Sequence, residues 1–133
     1  MYQNEYVYKV KWADTDAAAI VYYPNFYKWM DQATAELFHS LGYPLSQLFE
    51  QNAGMPLVET HCEFKAPALF EDVLRIESKI VHVGEKSFKV THDIYKQELL
   101  LAAGYEVRVW VSINQGNIKA ASIPARIRKA MIG

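Results

Sequence analysis

Residues 6–12, YVYKVKW, alternate in part between Tyr or Val and Lys, so a strand is predicted early in the chain. The period then lengthens. At about 100° per residue, Phe26, Met30, Ala33, Leu37 and Leu41 share one face, with Lys28, Gln32, Glu36 and His39 opposite. This predicts a helix over 24–41. Pro24 fits its first turn, where a missing N–H costs nothing, and Gly42 fits its C-terminal stop. A shorter helix is predicted over 43–51.

Further strands are predicted over 55–64, 73–83, 86–95 and 99–113. Phe88, Val90, His92 and Ile94 alternate in one, and Tyr105, Val107, Val109 and Val111 alternate with Glu106, Arg108 and Trp110 in another. NQGN is a turn signal, with a short return strand over 118–123. Pro124 opens a basic tail, PARIRKAMIG, read as one helical turn or more with solvated charges. A strand, a long helix and then strands joined by short turns form an α+β pattern, an antiparallel sheet covering one central helix. The other sheet face and the edges need cover, which makes oligomerisation an expectation.

Composition narrows the function. The 133 residues fit a single domain spanning 1–133. The formal net charge of −1 argues against nucleic acid as the main partner. No run approaches the roughly 20 apolar residues of a membrane span, and no signal-peptide stretch opens the chain. Cys62 is the only cysteine, so a cysteine metal cluster and an internal disulfide are ruled out. The expectation is a cytoplasmic domain.

The candidate chemistry lies in carboxylates. Asp14 and Asp16 follow the first strand and precede an apolar run and the helix N-terminus. Both suit a turn, since Asp bonds its local backbone there. Either could also act on an acyl group as nucleophile or general base, with N–H groups at the helix start stabilising an oxyanion. Asp31 falls at roughly 140° from Phe26, beside Tyr27 and Phe38 at the edge of the apolar face. It is either a boundary aspartate reaching solvent or an acceptor for a ligand hydroxyl. His61 and Cys62 are adjacent in a strand and point to opposite faces, so they do not share a site. His39 lies on the polar helical face, and His82 and His92 show no acidic partner. A Gly-x-Ser-x-Gly elbow and a phosphate-cradling glycine loop are both missing.

The stretch DTDAAAIVYYPNFYKWMD resembles the signature of the 4-hydroxybenzoyl-CoA thioesterases, a branch of the hotdog-fold acyl-CoA thioesterases. The resemblance continues through GMPLVETHCEFKAPALFEDVLRIES, EKSFKVTHDIY and YEVRVWV, and the Tyr-Pro-Asn form is nearer this aryl branch than the related YbgC branch. It implies a hotdog fold, an antiparallel sheet wrapped around a long helix. It also implies dimers with a continuous sheet, associating into a homotetramer, with active sites at the dimer interface. The implied reaction is hydrolysis of a hydroxylated aromatic acyl-CoA to acid and CoA. Coenzyme A is part of the substrate, and no metal or separate cofactor is implied.

Residue by residue, the resemblance assigns Asp16 as the catalytic carboxylate, nucleophile or general base. It assigns the backbone N–H of Tyr23 to the thioester oxygen and Asp31 to the ring hydroxyl of a substrate held by the partner subunit. Met55 and Glu59 are expected on the strand lining the acyl pocket, and Lys86 and Lys119 at the CoA phosphates. Ala17, Ala18 and Ala19 fill a segment where the family carries Gly, which predicts an ordinary backbone there or slight crowding by a methyl group. Glu85 and Asn117 stand where the hydroxybenzoyl enzyme has arginines. Aliphatic acyl-CoA, acyl carrier protein, or acyl-CoA binding without catalysis are the alternatives.

Overall fold

The computed structural model describes all residues, 1–133. Strand β1 (Gln3–Lys9) leads through a 3-10 turn (Trp12–Asp14) to helix α1 (Pro24–Leu41) and helix α2 (Leu45–Glu50). Strands β2 (Ala53–Gly54), β3 (Leu57–Phe64), β4 (Val73–Val83), β5 (Ser87–Lys96), β6 (Leu99–Val109), β7 (Val111–Asn114) and β8 (Asn117–Ala120) follow, and helix α3 (Ala125–Ile132) closes the chain. The strands form a five-stranded sheet in the order β1-β4-β5-β6-β3 and a three-stranded sheet in the order β2-β7-β8. All pairings are antiparallel.

Helix α1 packs on one face of the larger sheet. Its buried positions are Phe26, Trp29, Met30, Ala33, Thr34, Leu37 and Phe38. Its bounds match the predicted 24–41, and Gly42 ends it at φ +103°, a left-handed stop that glycine adopts without strain. No helix is long and apolar enough to cross a membrane.

Register settles which faces point inward. Phe88, Val90, His92 and Ile94 of β5 are buried. Their cross-strand partners on β6 are Arg108, Glu106, Gly104 and Ala102, and directly paired residues share a face. The charged members of the β6 alternation therefore face the helix, while Tyr105, Val107 and Val109 lie half-buried on the outer face. The alternation breaks at Trp110 and Val111, both buried, where the larger sheet gives way to the smaller.

The core is consequently two apolar clusters with a polar belt between them. One gathers Phe26, Trp29, Met30 and Ala33 with Leu74, Ile76, Ile94 and Leu101. The other gathers Leu37, Phe38, Leu48, Ile80, Phe88, Val90, Trp110, Ile127 and Met131. Ser78, His92, Glu106 and Thr34, all buried, occupy the intervening positions on β4, β5, β6 and α1.

Gly104 permits the close approach of α1 to the sheet. A Cβ there would stand 2.6 Å from the His61 carbonyl oxygen and 2.6 Å from Met30 Sδ. The thioether can move, but the strand carbonyl is fixed by its ladder. Gly104→Ala is expected to cost about 1–3 kcal/mol of stability, as overpacking does in other cores. Urea unfolding measures it, and an unchanged midpoint would contradict this account of the contact.

Candidate active site

The two early aspartates have different partners. Asp14 Oδ2 accepts from Tyr8 Oη (2.6 Å) and from the Lys11 N–H (2.8 Å). Its carbonyl accepts from the Tyr22 N–H and Asn25 Nδ2. Burial and the Asp14 hydrogen bond push the Tyr8 phenol up to about 12, so the phenol remains a donor. Asp14 thus ties β1, the 3-10 turn and the start of α1 together.

Asp16 opens a tight hairpin. Thr15 pairs with Val21, the Asp16 N–H donates to the Ile20 carbonyl, and the Ala19 N–H donates to the Asp16 carbonyl. Asp16 Oδ1 accepts from the Ala18 N–H at 2.8 Å, an Asx turn that orients the carboxylate. Oδ2 has no partner, and the side chain is exposed. The expected ordinary backbone is corrected at Ala19, whose φ is +64°. A three-residue hairpin loop calls for a left-handed residue at its end, and alanine takes that role here at a steric cost.

Tyr23 already has helical angles (φ −55°, ψ −33°). Its N–H donates to no group in the chain, whereas the Tyr22, Asn25 and Phe26 N–H groups are all satisfied. The free donor stands at the positive end of the α1 dipole. Beside it lies an apolar cavity of about 390 Å³ lined by Ile20, Val21, Tyr23, Phe26, Phe64 and residues 65–68.

Asp31 lines a different cavity, of about 370 Å³, with Met55, Arg108 and apolar residues of α2, β7 and β8. The Asp31 side chain is 70% exposed, and its Oδ1 accepts from Arg108 Nη2 at 2.6 Å. Arg108 is buried. Its Nε and Nη2 donate to Glu106 (3.3 and 2.8 Å), and Nη1 donates to the Met55 carbonyl (3.1 Å). Glu106 also accepts from Thr34 Oγ1 and lies 3.1 Å from His92 Nε2, while His92 Nδ1 lies 2.7 Å from Ser78 Oγ. The absence of an acidic partner for His92 is therefore corrected: Glu106 is its partner.

Burial pushes the Glu106 carboxyl up, but the hydrogen bonds from His92 and Arg108 and the Arg108 charge outweigh it and hold the pKa below 4.5. Burial likewise lowers Arg108, and the Glu106 and Asp31 carboxylates more than reverse that, raising it. Burial, then the Glu63 charge, push the Cys62 thiol up to about 11, which leaves it a poor nucleophile.

The remaining candidates divide. Met55 precedes β3 instead of lying on it, is buried and faces the Asp31 cavity. Glu59 is corrected: it pairs with Val107 on the outer sheet face, where it accepts from Tyr105 Oη at 2.6 Å, away from that cavity. Its facing follows from the unbroken register of residues 59–64, and the bulge between Leu57 and Glu59 puts the residues before it out of phase with Glu59. Lys86 and Lys119 are exposed on either side of Trp110: the Lys86 carbonyl accepts from the Trp110 N–H, and Lys119 pairs with Ser112 on β7. Arg128 of α3 reaches the same end, donating to the Glu85 carbonyl at 2.9 Å. Arg108 and Glu106, which hold Asp31 at its cavity, were not anticipated from the sequence. The β5 alternation, carried across the ladder, is the signal that finds them.

The thioesterase-like superfamily matches residues 10–131. A gentisyl-coenzyme A thioesterase of known structure is 42% identical and superposes with a TM-score of 0.88, covering 98% of this chain and 100% of that one. The 4-hydroxybenzoyl-CoA thioesterase of Pseudomonas sp. strain CBS-3 is 29% identical over 126 residues, 88% of this chain and 89% of the relative. The crystal structure of an aspartate-to-asparagine mutant of a 4-hydroxybenzoyl CoA thioesterase complexed with 4-hydroxybenzoyl CoA has a TM-score of 0.91 at 26% identity, covering 98% and 99% of the two chains.

Two outcomes follow from the local physics. Glu106 has a lowered folded-state pKa, so its stabilisation is fully present above about pH 4.5 and is lost as pH falls through the folded value. Glu106→Gln is expected to cost about 3 kcal/mol at neutral pH, since the Arg108 charge loses its main partner. It should also flatten the fall in stability below pH 4.5, as read by denaturant unfolding across pH. Ala19→Gly removes a left-handed penalty but adds chain entropy, for a net gain of up to about 1 kcal/mol. A lower thermal midpoint for that variant would contradict the strain.

Proposed function

Because the chain belongs to the thioesterase-like superfamily and has the hotdog fold, we propose that it hydrolyses an aromatic acyl-CoA to the free acid and coenzyme A. The acyl group is a benzoyl ring carrying at least one hydroxyl. The observation that carries this reading is the free Tyr23 N–H at the start of α1, a short hairpin away from an exposed, turn-oriented Asp16. The N–H donates a hydrogen bond to the thioester oxygen and stabilises the charge that develops on it. Asp16 either attacks the carbonyl carbon, giving a mixed anhydride that water then cleaves, or removes a proton from the attacking water. In both routes the C–S bond breaks, the CoA thiolate leaves, and one water is consumed.

The relatives named for gentisyl-CoA and 4-hydroxybenzoyl-CoA support the ring, and an acidic acceptor in an apolar cavity supports the hydroxyl. Asp31 lies eight residues beyond Tyr23, about 12 Å along the helix, which is more than one aromatic ring spans. This supports a site shared between two copies, with Asp16 and Tyr23 from one and Asp31 and Met55 from the other. The exposed edge strand β3, with Leu57, Val58 and Phe64 open to solvent, supports pairing of that kind, and a homotetramer of such dimers is part of the proposal. Lys86 and Lys119 would meet the CoA phosphates.

The test is a thioester panel read by release of free thiol, containing hydroxybenzoyl, benzoyl and short aliphatic acyl-CoA and an acyl carrier protein. Hydroxylated aryl-CoA should show the highest kcat/KM. Asp16→Asn keeps the amide oxygen that the Ala18 N–H needs, so the turn survives while the charge is lost. It should lower turnover at least about 100-fold. Parental turnover in that variant would overturn the role of Asp16. Binding without thiol release across the panel would overturn the enzymatic reading.

A further inference from the structure

We infer that Arg108 is a positioning residue for substrate selection: it fixes Asp31 at the wall of the apolar cavity, so that the cavity selects acyl rings bearing a hydroxyl. The inference rests on the aryl-CoA reading above and assigns the element that enforces it.

Arg108 has a side chain only 9% exposed, with Glu106 at 2% beneath it. Moving both charges out of water costs more than an apolar pair of similar shape would, so stability alone does not explain them. Their setting is costly in other ways. Ser78, His92 and Thr34 are committed to orienting Glu106, and Met55 gives up its carbonyl to Arg108. Every buried side-chain polar atom is satisfied. The chain of bonds emerges from the core at Asp31, the one exposed member. An isolated aspartate on a helix surface samples several rotamers. This one is pinned through Oδ1 by a guanidinium that is itself held by Glu106 and the Met55 carbonyl.

The pinning leaves defined chemistry at the cavity. Asp31 Oδ2 has no partner, and an ionised carboxylate only accepts. Arg108 lines the same cavity, but its nitrogens are already engaged by Glu106, Asp31 and the Met55 carbonyl, so it acts there through Asp31. A ring hydroxyl can donate to Oδ2. A bare ring leaves Oδ2 without a donor, and a ring carboxylate meets the Asp31 charge.

The experiment compares kcat and KM of the parent, Arg108→Met and Asp31→Asn on 4-hydroxybenzoyl-CoA, gentisyl-CoA and benzoyl-CoA. A doubly substituted protein, Glu106→Gln with Arg108→Met, removes both buried charges and keeps an acceptor for Thr34 and His92, in case the single variant does not fold. Circular dichroism and thermal melting establish folding. Loss of a hydrogen bond to a charged partner predicts a fall of about 10-fold or more in preference for hydroxylated over plain benzoyl-CoA. The fall should appear mainly in KM, and Arg108→Met should match Asp31→Asn in direction. A folded Arg108 variant that loses activity equally on all three substrates, or keeps the parental preference, overturns the inference while leaving the aryl-CoA reading intact. A parent that hydrolyses none of the three overturns that reading, and this inference with it.

Discussion

The core of this fold is arranged around one buried ion pair. Glu106 and Arg108 sit on the inner face of β6, where the alternation of a half-buried strand would ordinarily place apolar side chains. Their presence divides the core in two and recruits Ser78, His92 and Thr34 from three other elements to complete the hydrogen bonding. It also specifies register. A one-residue slip of β6 against β5 would send both charges to the outer face and bring Tyr105 and Val107 against α1. The pair therefore acts as a register key as well as the base of Asp31.

A second constraint operates at the start of α1. Two aspartates two residues apart have unlike tasks because the chain turns between them. Asp14 is spent on structure, with its carboxylate and carbonyl both used. Asp16 is used by half, one oxygen closing the Asx turn and the other left open. The same hairpin delivers the chain into Pro24 so that the Tyr23 N–H is stranded without an acceptor. Proline at the first helical position removes the next competing donor, so one N–H alone projects from the helix end.

Much of this was legible in the sequence, and the failures have physical causes. Pro24 and Gly42 bound α1 because each imposes a backbone conformation that needs no tertiary context. The β5 alternation was likewise readable. The facing of β6 was not, because Val and Tyr favour strands on either face, and burial of Glu106 and Arg108 depends on partners 14 and 77 residues away. His92 looked partnerless for the same reason. Ala19 misled because alanine rarely takes a positive φ, and only the closed hairpin forces it. Met55 and Glu59, four residues apart, share one face of an unbroken strand, but a bulge between Leu57 and Glu59 breaks the phase between them and has no signal in the local pattern.

The division between these two constraints bears on how such a site can change specificity. The proposed acyl-transfer elements lie on a hairpin and a helix end within residues 14–26, anchored to β1 through Tyr8 and to the segment after β3 through the Ala68 carbonyl. The acceptor at Asp31 depends instead on a network rooted in β4, β5 and β6. No residue lines both cavities. In the proposed site, substitutions around Arg108 would therefore alter the ring held at Asp31 without disturbing the turn that orients Asp16, and changes in the hairpin would alter rate without moving Asp31. Contacts distant in sequence hold Asp31, a tight hairpin orients Asp16, and α1 runs between the two.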